Sequence, residues 1–94
     1  MQRDWTVEDL GTHTFLVHGT EHGDRVDVEV GLDPSFIDGL GLSGVPDEHI
    51  VDATVAYLLE HQRLDELPAE VDLEVVAAAY DDFADRLRTG LQAG

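Results

Sequence analysis

The residue types most suited to chemistry gather around one predicted turn. His18 and His22 flank Glu21, and Asp24 follows two residues later. Two imidazoles and a carboxylate form a ligand set that zinc or nickel accepts. However, the His-x3-His spacing places both rings on one face only in a helix, and here it spans a strand end and a turn. Exposed polar residues at a hairpin tip are the favoured interpretation, and a divalent-metal site at His18 and His22 with Glu21 or Asp24 is the alternative.

The remaining histidines do not converge on one site. His13 and His18 lie on the same predicted strand at an odd spacing, so they point to opposite faces. His49 and His61 share a predicted helix but are separated by about 120° around its axis. His61 follows Tyr57 by one helical turn, and we expect it to be a structural residue at the edge of the core.

No pattern of acids, serines or glycines indicates catalysis. Asp81, Asp82 and Asp85 are expected on the solvated face of an amphipathic helix, whereas acid–base catalysis by two carboxyls needs a pocket that separates their pKa values. There is no Gly-x-Ser-x-Gly motif, and the glycine-rich run 39–44 lacks the Lys-Ser/Thr ending of a phosphate-binding loop. The sequence predicts no catalytic residue, no cofactor and no enzyme activity.

Acidic side chains dominate the composition. Twenty-one Asp and Glu residues oppose five basic residues, all of them Arg, and the net charge is −16. At 1 M salt the Debye length is only about 3 Å, so such charges keep a protein hydrated without strong mutual repulsion. The chain contains no lysine, and its acidic residues are spread along its whole length. This composition favours adaptation to high KCl or NaCl. The alternative is a charge decoy of the antitoxin, immunity or DNA-mimic type that blocks a basic partner.

The same composition excludes several functional classes. Direct nucleic-acid binding is not expected, because phosphate contacts need clustered Lys and Arg. No apolar run approaches the roughly 18 residues of a membrane span, and residues 1–9 lack the pattern of a signal peptide. Without cysteine there are no disulfides and no thiolate sites. We therefore expect a cytoplasmic protein that does not bind membranes.

The first third of the chain has the pattern of strands. Residues 12–20 are rich in β-branched and aromatic types, and residues 25–30 alternate valine with charged or polar side chains. Gly23 between them can supply the positive φ angle of a tight hairpin turn. Residues 5–8 predict a short third strand.

The rest of the chain has the pattern of helices. Asp33 as N-cap and Pro34 at the first helical position predict a short helix to about residue 39. A longer helix is predicted over about 47–63, followed by a linker over 64–70. Asp72 is expected to cap a final helix that ends at Gly90.

These elements predict a single α+β domain over residues 1–94. Its β-rich part is 1–31, its helical part is 32–90, and 91–94 is expected to be a frayed tail. The fold is an N-terminal β-hairpin or three-stranded antiparallel sheet, followed by a short helix and two longer helices packed on one face. Because such a sheet leaves unpaired edges, we expect homodimerisation through a sheet edge or through the helix pair.

One segment resembles known proteins. Residues 55–83, VAYLLEHQRLDELPAEVDLEVVAAAYDDF, are similar to a helix–Leu-Pro–helix pattern in a small prokaryotic protein family of unknown function. The segment covers about a third of the chain. The resemblance implies a related fold and assigns no site residue.

The leading functional hypothesis is a non-enzymatic protein-interaction or accessory module, acting as a homodimer or bound to another protein. Aromatic and large apolar side chains dominate interface energetics, so exposed ones are the candidates. The interface candidates are Trp5, Tyr57, Leu58, Leu59 and Tyr80. The charge decoy and the divalent-metal protein remain the alternatives.

Overall fold

Four strands form one mixed sheet in the order β1-β2-β3-β4, and the helices pack on one of its faces. A computed structural model describes residues 5–21 and 23–92 of the chain. The elements are β1 (Trp5–Gly11), β2 (Thr14–Glu21), β3 (Asp24–Gly31), α1 (Pro34–Gly39), α2 (Asp47–Leu59), a 3-10 turn (Leu64–Glu66), β4 (Glu70–Asp72), α3 (Leu73–Ala79) and α4 (Phe83–Gln92). The predicted α+β class is confirmed; three strands come first, and the fourth, β4, lies between α2 and α3.

The first three strands form an antiparallel meander whose register sorts the side chains by face. Val7 lies opposite Val17, and Val17 lies opposite Val28. Val17 and Val28 are buried against the helices, whereas the alternate residues face solvent. Gly23 has φ +85°, as the predicted hairpin turn requires, while His22 lies outside the described residues.

The second strand begins later than the sequence predicted. Thr12 and His13 have φ angles of 51° and 60° and form the turn between β1 and β2. These left-handed conformations are uncommon for residues other than glycine, and a β-branched residue gives no sequence signal for them. The predicted strand 12–20 is therefore corrected to Thr14–Glu21, and the predicted strand 5–8 extends to Gly11.

The predicted linker over 64–70 is irregular only at residues 67–69. It contains the 3-10 turn Leu64–Glu66 and leads into β4, which pairs in parallel with β3. Leu64 and Leu67 are buried and hold this segment on the core. The amide of Glu29 donates to the carbonyl of Ala69 at 2.8 Å. Long-range pairing therefore orders a segment that has no local strand pattern.

Both predicted helix caps are present. The Asp33 carboxylate accepts a hydrogen bond from the amide of Ser35 at 2.9 Å, with Pro34 at the first helical position. The Asp72 carboxylate accepts one from the amide of Glu74, also at 2.9 Å. Such caps satisfy amides that the first turn of a helix leaves without partners.

The final helix is two helices, which corrects the prediction of one helix from 72 to 90. Tyr80 has the extended angles φ −127° and ψ 111°, and it separates α3 from α4. The second helix continues through Gly90 to Gln92, and residues 93 and 94 of the predicted tail lie outside the described residues. Likewise, α2 ends at Leu59 and not at residue 63.

The core lies between the covered face of the sheet and the helices. It contains Phe15, Val17, Val28 and Val30 from the strands, together with the buried faces of α2, α3 and α4. Within the described ranges, no helix is long and apolar enough to cross a membrane.

Candidate functional site

An apolar groove lies beside the last strand of the sheet, between β4, α3 and the C-terminal half of α2. Its volume is about 440 Å³. We call it the β4 groove; its lining is Glu29, Gly31, Leu58, Gln62, Leu67, Pro68, Glu70, Val71, Asp72, Val75, Val76, Ala79 and Tyr80. Most of these side chains are apolar, and the three carboxylates come from β3 and β4.

One border of the groove is an unpaired sheet edge. β4 pairs with β3 on one side, and no strand in the described part of the chain pairs with its other side. Because the carbonyl of Ala69 points to β3, the backbone groups of the next residue, Glu70, point away from β3. An edge strand of this kind offers hydrogen-bonding groups to another chain.

The wall of the groove carries an unusually exposed apolar side chain. Val75, in the first turn of α3, is 66% exposed. Leu10, 48% exposed, is the other large apolar residue with high exposure in the described ranges, and it lies on β1 at the opposite edge. Val71 and Val76 beside Val75 are buried, so Val75 extends an apolar surface that continues into the core.

An aromatic cluster closes one end of the groove. The Tyr80 ring stacks on His61 at 4.7 Å between centroids and meets the edge of Tyr57 at 5.6 Å. The Tyr57 hydroxyl donates to Asp82, the last residue before α4. Burial, then the hydrogen bond to Asp82, raises the pKa of Tyr57 to about 12. Tyr57 is therefore a neutral structural donor near neutral pH, and it fixes the position of Tyr80.

An ion pair reinforces the same cluster. Nη2 of Arg86 donates to both carboxylate oxygens of Glu60, at 2.8 and 3.0 Å. The guanidinium lies 5.6 Å from the centroid of the Tyr57 ring, within the range of a cation–π contact. These contacts bind α4 to the end of α2. A second groove of about 430 Å³ lies between these helices, and it contains this ion pair but no sheet edge.

A separate polar network lies on the open face of the sheet. Nδ1 of His18 lies 2.8 Å from Asp27 Oδ1, and Nε2 lies 3.0 Å from Glu8 Oε1. Hydrogen bonds to Glu8 and then to Asp27 raise the pKa of His18. Nε of Arg25 donates to Asp27 at 3.0 Å. The imidazole therefore bridges β1, β2 and β3, and we call this group the His18 network.

The structure does not bring the predicted metal ligands together. Both nitrogens of His18 are already bound to carboxylates on different strands. Glu21 lies on the other face, because the spacing from His18 is odd, and it accepts a hydrogen bond from the amide of Leu64 at 3.1 Å. Asp24 is exposed, and His22 lies outside the described residues. Residues 5–21 and 23–92 contain no group of three or more potential ligands placed for a metal ion.

The interface candidates occupy different environments. Tyr57 and Leu58 are only 4% and 3% exposed, so the expectation that they are exposed is wrong. The apolar stripe of α2 is wide because it faces both the sheet and α4, and both residues lie within it. Trp5 is half-buried, and its indole donates to Asp52 on α2 at 3.1 Å. Their role at an interface remains a prediction.

Two of the candidates belong to the β4 groove. Leu58 forms part of its floor and Tyr80 its aromatic end, whereas Leu59 is half-buried outside it. The residues that sequence reasoning missed are Val71, Val75 and Glu70. The only available signal was Val75, an apolar residue off the buried stripe of the predicted helix.

The fold and the groove thus define a small α+β protein with one apolar surface at a sheet edge. Comparison with known proteins adds no relative: no protein family, curated protein or solved structure matches this chain. The resemblance of residues 55–83 to a helix–Leu-Pro–helix pattern gains no support from these comparisons.

Proposed function

We propose that this protein is a non-enzymatic interaction module that binds a partner protein in the β4 groove. The observation that carries the proposal is the coincidence of an apolar groove with an unpaired sheet edge. Edge strands and apolar grooves both receive segments of other proteins. The exposure of Val75 supports the proposal, since a partner would remove this side chain from water.

The polar clusters give less support to a catalytic or metal-binding function. In the His18 network both imidazole nitrogens are engaged by carboxylates. In the aromatic cluster the Tyr57 hydroxyl is engaged by Asp82, and its high pKa makes it a poor acid near neutral pH. In each cluster these polar groups bind one another, so a structural role explains their presence.

The distribution of charge favours solvation over the charge-decoy alternative. Every strand and every α-helix carries at least one Asp or Glu, so the carboxylates are not gathered on one face. The four described arginines each pair with carboxylates, which further disperses the charge. We propose that the acidity serves hydration in a cytoplasm rich in KCl or NaCl.

The test compares two exposed apolar residues at opposite edges of the sheet. The tagged chain is expressed in the cell it comes from and isolated in about 2 M KCl, where exposed charges are screened. Val75→Asp removes the apolar wall of the groove, and Leu10→Asp is the matched control. We expect a complex larger than 10.3 kDa that Val75→Asp abolishes and Leu10→Asp preserves.

Two results would overturn the proposal. One is a chain that elutes at its own mass under all conditions. The other is a complex that both variants weaken equally, because the groove would then not be the contact. The thermal midpoints of the two variants, measured in the same buffer, show whether each remains folded.

A further inference from the structure

We infer that the partner supplies an extended segment of alternating apolar and basic residues, which pairs with β4 as a fifth strand. The inference rests on the proposed function and specifies the chemistry of the partner. It depends on three features of the groove: the direction of the β4 backbone, the alternation of its side chains, and an uncompensated pair of carboxylates.

The backbone of β4 favours an extended occupant. Glu70 directs its amide and carbonyl away from β3, towards the space beside the sheet. A helix placed in the groove has its own backbone groups paired internally and leaves this edge unsatisfied. A strand placed there would form hydrogen bonds with the amide and carbonyl of Glu70.

The side chains around the groove differ by face. Val71 points towards the helices and, with Leu58 and Val76, forms the apolar floor. Glu70 points to the open face, where it lies directly opposite Glu29 on β3. Since side chains alternate along a strand, an added strand would place every second residue on the floor and the others beside Glu70.

The carboxylates of Glu29 and Glu70 favour basic residues at those other positions. Like charges directly opposite each other on neighbouring strands are destabilising. The described arginines pair elsewhere, with Asp27, Asp65, Glu60 and Asp85. A basic side chain on the added strand would place a cation beside this pair.

A second copy of the chain fits this edge poorly. Pairing of β4 with another β4 would bring Glu70 and Asp72 of both copies together and add carboxylates where two already face each other. The geometry therefore favours a different, basic partner over a homodimer at this edge.

The experiment titrates the isotope-labelled chain with peptides of about seven residues, the length that covers β4 and both ends of the groove at ~3.3 Å per residue. The first peptide alternates Arg and Val and has blocked ends. Controls replace every Arg by Glu, or every Val by Ser. Two further versions of the first peptide carry backbone N-methyl groups, one on all the Arg residues and one on all the Val residues.

We expect the Arg-Val peptide to shift the amide signals of β4, α3 and the end of α2. One N-methylated version should fail to bind, because its methyl groups face β4, and the other should bind normally. Glu70→Gln should weaken binding up to about fivefold, the range of an exposed ion pair.

Other outcomes would overturn the inference. One is that the Glu-Val or the Arg-Ser peptide binds as tightly as the Arg-Val peptide. Another is that the two N-methylated peptides bind with the same affinity. A third is that the shifted amide signals come from residues outside the groove. If Val75→Asp nevertheless abolishes the native complex, the interaction module stands and only the extended basic segment is wrong.

Discussion

The His18 network and the β4 groove lie on the same sheet but differ in whether their groups contact other groups of the chain or face solvent. In the network, Glu8, His18 and Asp27 bind one another across three strands. In the groove, the apolar side chain of Val75 and the edge of β4 face solvent. The polar groups of the network bind one another, whereas the groove exposes an apolar side chain and a strand edge.

The comparison shows why polar residue types alone are a poor guide to function in this chain. Histidines and carboxylates at close spacing are the usual signal of a site, yet here they tie the open face of the sheet together. The surface that we propose binds a partner is made of valines, leucines and a strand edge. Four experiments test this contrast.

The largest effect is expected within the groove itself. Leu58→Ala should lower the free energy of unfolding by about 2–5 kcal/mol, because Leu58 is buried in the core as well as in the groove floor. Val75→Ala should change it by less than about 0.5 kcal/mol, because most of that side chain is in water. Denaturant unfolding in high KCl measures both. Equal losses would show that Val75 is a structural residue and not a free binding surface.

Salt should raise the thermal stability of the chain by screening its carboxylates from one another. Raising KCl from about 0.1 to 2 M should raise the thermal midpoint by at least about 5 °C, since screening relieves repulsion among carboxylates around a small core. Circular dichroism in a series of KCl concentrations measures the change. A midpoint that is insensitive to KCl would contradict the proposal that the acidity serves hydration in salt.

Two carboxylates on the open face should respond in opposite directions. Glu70→Gln should raise the thermal midpoint by roughly 1–3 °C in low salt, because Glu70 faces Glu29. Glu8→Gln should lower it, because Glu8 binds His18. Both effects should shrink in high KCl. If the thermal midpoint shifts in the same direction in both variants, Glu8 and Glu70 do not differ in the way that their neighbours predict.

The smallest effect concerns pH. The raised pKa of His18 means that its contribution to stability is complete below its unfolded pKa of 6.5 and is lost as pH rises through the higher folded value. The difference in thermal midpoint between the native chain and His18→Gln should therefore be larger at about pH 5.5 than at pH 9. His49→Gln, at an exposed position of α2, is the matched control. A difference that does not change with pH would show that the network does not depend on a protonated imidazole.

Much of the fold followed from local patterns. The alternation of Val26, Val28 and Val30 and the glycine at 23 specify the second hairpin, and Asp33 and Asp72 specify two helix starts. These signals are local because they depend on backbone preferences and on the alternation of faces. β4 has no such signal, since its three residues are a strand only through their pairing with β3.

The break between α3 and α4 was hidden for a related reason. Leu73, Val76, Phe83 and Leu87 keep helical spacing across it, so the pattern fits one continuous helix. Near the break, Asp82 accepts a hydrogen bond from the hydroxyl of Tyr57, which comes from a distant part of the chain. The groove was missed because it depends on both features that the local pattern does not contain, namely β4 and the end of α3.

Hydrogen exchange on the free and the partner-bound chain locates the contact surface residue by residue. We expect binding to slow exchange at the amides of β4 and α3, with Glu70 among the most protected, and to leave the open face around His18 unchanged. Protection centred on β1 and the His18 network, with none at β4, would contradict it.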